Sequence, residues 1–119
     1  MRVVLVTRHS GTVAWLGRQG LRLPVVKHLA ADMVGPGDVV LGNLPIHQAA
    51  EVVARGARYA GLCFDRPVET RGRELSADEL AALGPRLVVF HVEALGPLDI
   101  AAVTGDDQAW YRGGGRSGR

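Results

Sequence analysis

The sequence predicts an α/β fold, a mostly parallel sheet of about five strands flanked by helices. Three observations point there. The chain opens on the unbroken, largely β-branched run Val3-Val4-Leu5-Val6-Thr7, the pattern of a strand buried on both faces, as sheets covered by helices on either side produce. Apolar runs then alternate with segments of helical periodicity across short connections rich in Gly and Pro. A length of 119 residues, 47% hydrophobic and 22% charged, suits one compact domain with a real core.

The elements follow in order. Met1 to Thr7 is the first strand, placed inside the sheet. Arg8-His9-Ser10-Gly11 is a polar turn, and Thr12 to Gln19 is a helix carrying Val13, Trp15 and Leu16, stopped by Gly20. Pro24-Val25-Val26 is a short strand. Gly35-Pro36-Gly37 marks a tight connection into the strand Asp38 to Gly42. Leu44-Pro45 opens a helix to about Arg55, with Asn43 as N-cap, Pro45 in the first turn and an apolar stripe of Ile46, Ala49, Ala50 and Val53. Gly56 ends it, and Ala57 to Phe64 is another buried strand. The long turn Asp65 to Leu75 sets Arg66, Arg71 and Arg73 against Glu69 and Glu74. Ser76-Ala77-Asp78-Glu79 is a capping box leading a short helix to Leu83, Gly84-Pro85 breaks it, and Arg86 to Val92 is the last strand. Residues 1–95 form the domain and 96–119 an extension, expected to be disordered from about residue 105, because the last fifteen residues hold five Gly and three Arg.

Composition removes several classes. Fourteen basic against twelve acidic residues, net +2, is not the footprint of a duplex-DNA binder, so any nucleic-acid ligand should be small. No stretch reaches 18 consecutive apolar residues and the start is charged too soon for a signal peptide, so a cytoplasmic protein without a membrane segment is expected. Cys63 is the single cysteine, which leaves no internal disulfide and no cysteine zinc cluster. No zincin, EF-hand, Walker or dinucleotide-binding spacing occurs, so no metal or cofactor is expected. Thirteen of the fourteen basic residues are Arg, a bias that genomic composition and phosphate recognition both produce.

Ligands of open α/β sheets bind beyond the carboxyl ends of the strands. Three segments qualify: Thr7 to Gly11, Gly42-Asn43-Leu44-Pro45, and the turn from Asp65. In the first, helical N–H groups near Ser10 and Gly11 suit a phosphate, Arg8 adds charge, His9 moves a proton near neutral pH and Ser10 donates a bond, unless Ser10 merely caps the helix. In the second, Asn43 either meets an adenine or ribose or serves only as N-cap. Arg71 and Arg73 either contact a ligand or are neutralised by their acidic neighbours. Glu51 and Arg55 are spaced for a surface ion pair. His28 and His91 stand in apolar runs and read as core or edge histidines.

Val6-Thr7-Arg8-His9-Ser10-Gly11, Gly37-Asp38, Gly42-Asn43-Leu44-Pro45, Ala49-Ala50-Glu51-Val52, Arg55-Gly56-Ala57-Arg58-Tyr59 and Arg71-Gly72-Arg73-Glu74-Leu75-Ser76 together resemble a small CRISPR-associated family of type III systems that is similar to the ring nucleases, which degrade cyclic oligoadenylate messengers. The resemblance spans about residues 1–95. It implies a Rossmann-like (CARF-like) subunit, a homodimer about a two-fold axis, and metal-independent cleavage of a cyclic oligoadenylate, cyclic tetra-adenylate first. RNA carries its own nucleophile in the ribose 2′-OH, so a protein need only align it and stabilise the phosphorane. On position, Arg8 and the Ser10 and Gly11 amides would hold the scissile phosphate, with Ser10 also a catalytic candidate, and His9 would handle the proton. Asn43 and Leu44 would shape the adenosine pocket, and Thr7, Gly42, Pro45, Arg71 and Arg73 would complete it. Two rivals stand beside this. Arg8-His9 with Val88-Val89-Phe90-His91 resembles a histidine phosphatase, though Ser10 replaces that family's Gly. The other is a module that binds the same messenger without cleaving it.

Overall fold

The computed structural model of the chain describes residues 1–66 and 72–103. Arg71 and the Gly/Arg-rich tail, both singled out in the sequence, lie outside the described residues. Five strands, β1 (Val3–Val6), β2 (Val25–Val26), β3 (Val39–Gly42), β4 (Arg58–Cys63) and β5 (Arg86–Phe90), form one sheet in the order β2-β1-β3-β4-β5. The β1–β2, β1–β3 and β3–β4 pairs are parallel, and β5 runs antiparallel to β4. The fold is α/β and Rossmann-like, with a mostly parallel sheet and β1 in its interior.

Alternation of side chains along the strands sends apolar residues to both faces. On one face Val4, Val6, Val40 and Tyr59 pack with Leu29, Val34 and with Ala49 and Val52 of α2 (Ile46–Ala54). On the other, Leu5, Leu41 and Ala60 pack with Leu16 of α1 (Ser10–Arg18), with Trp15 and Leu87 partly buried beside them. Helix α3 (Ala77–Ala81) lies against α1, and Arg18 Nη1 reaches Asp78 Oδ1 at 2.8 Å between the two. A 3-10 turn at Ala31–Met33 and a short α4 (Ile100–Val103) complete the described elements.

Four expectations change. Helix α1 begins at Ser10, not Thr12, with His9 as N-cap: the His9 carbonyl takes the N–H groups of Thr12 and Val13 at 3.2 and 3.3 Å. Ser10 is therefore inside the first turn and caps nothing. Asn43 is not the N-cap of α2, whose cap is Pro45. The proline ring bars Leu44 from the helical region, and Pro45 itself is extended at ψ 144°, so the helix opens only at Ile46. The buried stripe of α2 is Ala49, Ala50 and Val52, with Val53 half-buried, whereas Ile46 is 77% exposed. Its phase is set where the middle of α2 crosses the sheet, and the terminal turn carrying Ile46 lies beyond that contact. The expected Glu51–Arg55 ion pair is not formed.

Two glycines fix how the layers meet. A Cβ on Gly11 would stand 1.9 Å from the Leu75 carbonyl oxygen, so only glycine lets α1 seat against the segment leading into α3. A Cβ on Gly42 would stand 2.1 Å from the Val6 carbonyl oxygen, and its φ of +127° is one that L side chains rarely adopt. Gly42 therefore lets β3 end flush against β1, where the two strands give way to loops.

Candidate active site

In the order β2-β1-β3-β4-β5, the chain leaves β1 toward one edge and β3 toward the other, which makes the carboxyl ends of β1 and β3 the topological switch point. A cleft of about 480 Å³ opens there. Its walls come from the loops that follow β1, β2, β3 and β4 and from the segment entering α3.

After β1, Thr7, Arg8 and His9 line the cleft. Thr7 Oγ1 accepts the His9 N–H at 3.1 Å, which fixes the turn before the helix begins. His9 Nδ1 lies 3.1 Å from both carboxylate oxygens of Glu74. With Nδ1 donating to that carboxylate, Nε2 is the nitrogen left to exchange a proton with a ligand. Arg8 is exposed and makes no hydrogen bond or ion pair with any described residue. Ser10, exposed in the first turn of α1, and Gly11, buried under Leu75, are not on the cleft wall.

After β3, Gly42, Asn43, Leu44 and Pro45 all line it. Asn43 Oδ1 accepts the Leu62 N–H at 2.9 Å. The β3–β4 ladder ends at the Leu41–Ala60 pair, and the Asn43 side chain supplies the next bond once the β3 backbone has turned away. Its Nδ2 group has no partner among the described residues and remains a donor for a ligand. The Leu44 N–H donates to Tyr59 Oη at 3.2 Å, holding this loop to the sheet.

From the far side come Phe64, Arg66 and Arg73. Of the acidic neighbours expected to neutralise Arg73, Glu69 lies outside the described residues and the Glu74 carboxylate is taken by His9; Arg73 Nη1 pairs instead with Glu79 Oε2 at 2.9 Å. Backbone N–H donation from Ser76 and the Arg73 guanidinium hold the Glu79 carboxyl below its ordinary range. Arg66 Nη2 donates to the Arg73 carbonyl at 2.6 Å, tying the two ends of the long turn together. Lys27 and His28, after β2, form the remaining wall and are both exposed. No three His, Cys, Asp or Glu side chains cluster for a metal among the described residues, and no helix among them is long and apolar enough to cross a membrane.

The family described as "Putative CRISPR-associated protein (Cas_VVA1548)" matches residues 4–93. The chain belongs to this family. The CRISPR-associated segment takes in β2 to β5 and all of β1 but its first residue, and with them the whole cleft, while α4 lies past its end. Comparisons with curated proteins and with solved structures gave no match. Sequence reasoning missed several groups of this CRISPR-associated protein's cleft: Lys27, His28, Gln48 and Phe64. Lys27-His28 follows β2 as Arg8-His9 follows β1, and applying the strand-end rule to the shortest strand as well would have found it.

Proposed function

We propose that this CRISPR-associated protein is a ring nuclease that opens a cyclic oligoadenylate, with cyclic tetra-adenylate the first candidate, by metal-independent attack of a ribose 2′-OH. The observation that carries the reading is His9, oriented by Glu74 and flanked by the unpaired Arg8, at the mouth of a switch-point cleft that also receives Lys27, Arg66 and Arg73. Anionic phosphate suits that cation set. Phe64 offers a ring face to adenine, and the Asn43 amide a donor to its edge or to a ribose.

In the reaction, the 2′-oxygen bonds to the adjacent phosphorus and the P–O5′ bond breaks. His9 Nε2 serves the proton transfer, Arg8 stabilises the phosphorane charge, and the product is a linear adenylate with a 2′,3′-cyclic phosphate and a 5′-hydroxyl. The cleft falls in the range of sites for single small molecules, so a whole ring needs two copies of the chain about its two-fold axis.

The phosphatase reading loses support from topology. Because β5 is antiparallel, with Phe90 paired to Tyr59 near the start of β4, His91 leaves the sheet at the edge opposite His9 and reaches Glu93 at 3.6 Å instead. Incubating the protein and EDTA with cyclic tetra-adenylate and cyclic hexa-adenylate, followed by mass spectrometry, tests the proposal. Linear products ending in a cyclic phosphate are expected. Rings recovered intact but bound would leave a sequestering module, and rings neither bound nor cut would end both readings.

A further inference from the structure

Cleavage by an internal 2′-OH requires two proton transfers, one from the nucleophile and one to the departing 5′-oxygen, and His9 with Glu74 accounts for one. Lys27 and His28 line the same cleft. Strand β2 pairs with β1 in parallel, with Val26 opposite Val6, and the Thr7 N–H donates to the Val26 carbonyl at 3.0 Å. Continuing that register by one and two residues sets Lys27 beside Thr7 and His28 beside Arg8. The next residue, Leu29, is 4% exposed in the core, and its carbonyl accepts the Gln48 side-chain amide of α2. The pair is thus a two-residue span clamped at both ends, by the sheet at Val26 and by the core at Leu29. Neither Lys27 nor His28 has a hydrogen bond or ion pair within the described chain, and nothing in the packing requires an exposed imidazole or ammonium there.

Resting on the ring-nuclease reading, we propose that His28 is the second proton-transfer residue of the cleft and Lys27 its phosphate-stabilising neighbour. His28, with no carboxylate partner, acts as the neutral base that takes the 2′-OH proton as the O2′–P bond forms. His9, its imidazolium charge met by Glu74, gives a proton from Nε2 to O5′ as the P–O5′ bond breaks. The Lys27 ammonium faces the non-bridging oxygens that carry charge in between. One proton is taken and one returned, so no other reactant is required, and exchange with water resets both imidazoles.

The test is the pH–rate profile of single-turnover cleavage of the ring that the wild-type protein cuts, with ring binding measured in parallel. A bell-shaped wild-type profile is expected. His28→Gln should lose about 10²- to 10⁴-fold in rate together with the acidic limb, and His9→Gln should lose the alkaline limb by a similar factor. Binding of the intact ring should change much less in both. Lys27→Ala should lower the rate, with partial rescue in Lys27→Arg. His28→Gln with a wild-type rate and profile overturns the proposal and leaves the ring-nuclease reading standing. A wild-type protein that cuts no ring overturns both.

Discussion

His9 is held twice, by Thr7 through its backbone and by Glu74 through Nδ1, so its second nitrogen has a fixed direction even though the side chain is 64% exposed. Glu74→Gln keeps the size and replaces the charged acceptor with a neutral one. On the proposed mechanism its cleavage rate should fall, though by less than the roughly 10²- to 10⁴-fold loss of His9→Gln, with ring affinity little changed. Exposed at the surface, the substitution should leave stability within about 0.5 kcal/mol, which a urea titration checks. An unchanged single-turnover rate in Glu74→Gln would remove the positioning role. Individual residues also mark the limit of reading a site from sequence. Thr7, Arg8 and His9 were legible because polar residues ending a doubly buried strand are poorly explained by packing. Asn43 was half legible: an Asn before a helix looks the same whether it caps the helix or, as here, extends a strand ladder to Leu62. The Glu74 partnership was not legible, since 65 residues separate it from His9 and Arg73 offered a nearer charge.

Elements were recovered more fully than their boundaries. All five strands and the helices α1, α2 and α3 stand where apolar periodicity places them, because a three-layer α/β core imposes that periodicity on each segment. What the sequence did not disclose was the direction of β5, which depends on the connection through α3 rather than on β5's own residues. The glycine seats are elements' contacts too. Gly11→Ala drives a methyl group into backbone rather than a yielding side chain, and should destabilise by about 1–3 kcal/mol through overpacking, read as a lower urea midpoint. Gly42→Ala adds left-handed strain to the same kind of clash and should cost more. A Gly11→Ala protein of wild-type stability would mean that α1 seats differently. Two further junctions are held by carboxylates. Asp38 accepts N–H groups of Gly35 and Arg2, and Glu79 accepts the Ser76 N–H and pairs with the Arg73 guanidinium, so both carboxyls ionise below their ordinary range when folded. A carboxylate of depressed pKa adds stability above its unfolded value and loses it as pH falls. Stability should accordingly drop from about pH 5 downward, and Glu79→Gln should be less stable than wild type at pH 7 and show a shallower drop.

For the whole molecule, a formal charge of +2 is too small to draw an anion from a distance, so on the proposed function recognition of a phosphate ring would rest on where the cations are placed. The fold places them at one spot: strands β1 and β2 and the loop after β4 all deliver Arg or Lys to the same carboxyl edge, where Arg73 is offset by a carboxylate, Glu79, while the ion pair of Arg18 with Asp78 neutralises charge on the flank around α3. That separation gives a quantitative expectation. Binding of a single-stranded ligand loses about 0.7 in log K per decade of salt for each phosphate neutralised, so a ring with two to four engaged phosphates should show a slope of about −1.4 to −2.8. Arg8→Ala should make the slope shallower by about 0.7 and weaken binding, because it removes from the wall an unpaired cation that the proposal sets against a phosphate. Arg18→Ala, on the flank, should do neither, since that guanidinium already has Asp78 and does not line the cleft. Titrating a fluorescent cyclic tetra-adenylate at several salt concentrations measures all three slopes. If Arg8→Ala and Arg18→Ala shift the slope equally, attraction comes from the surface at large, and the cleft is not where the phosphates sit.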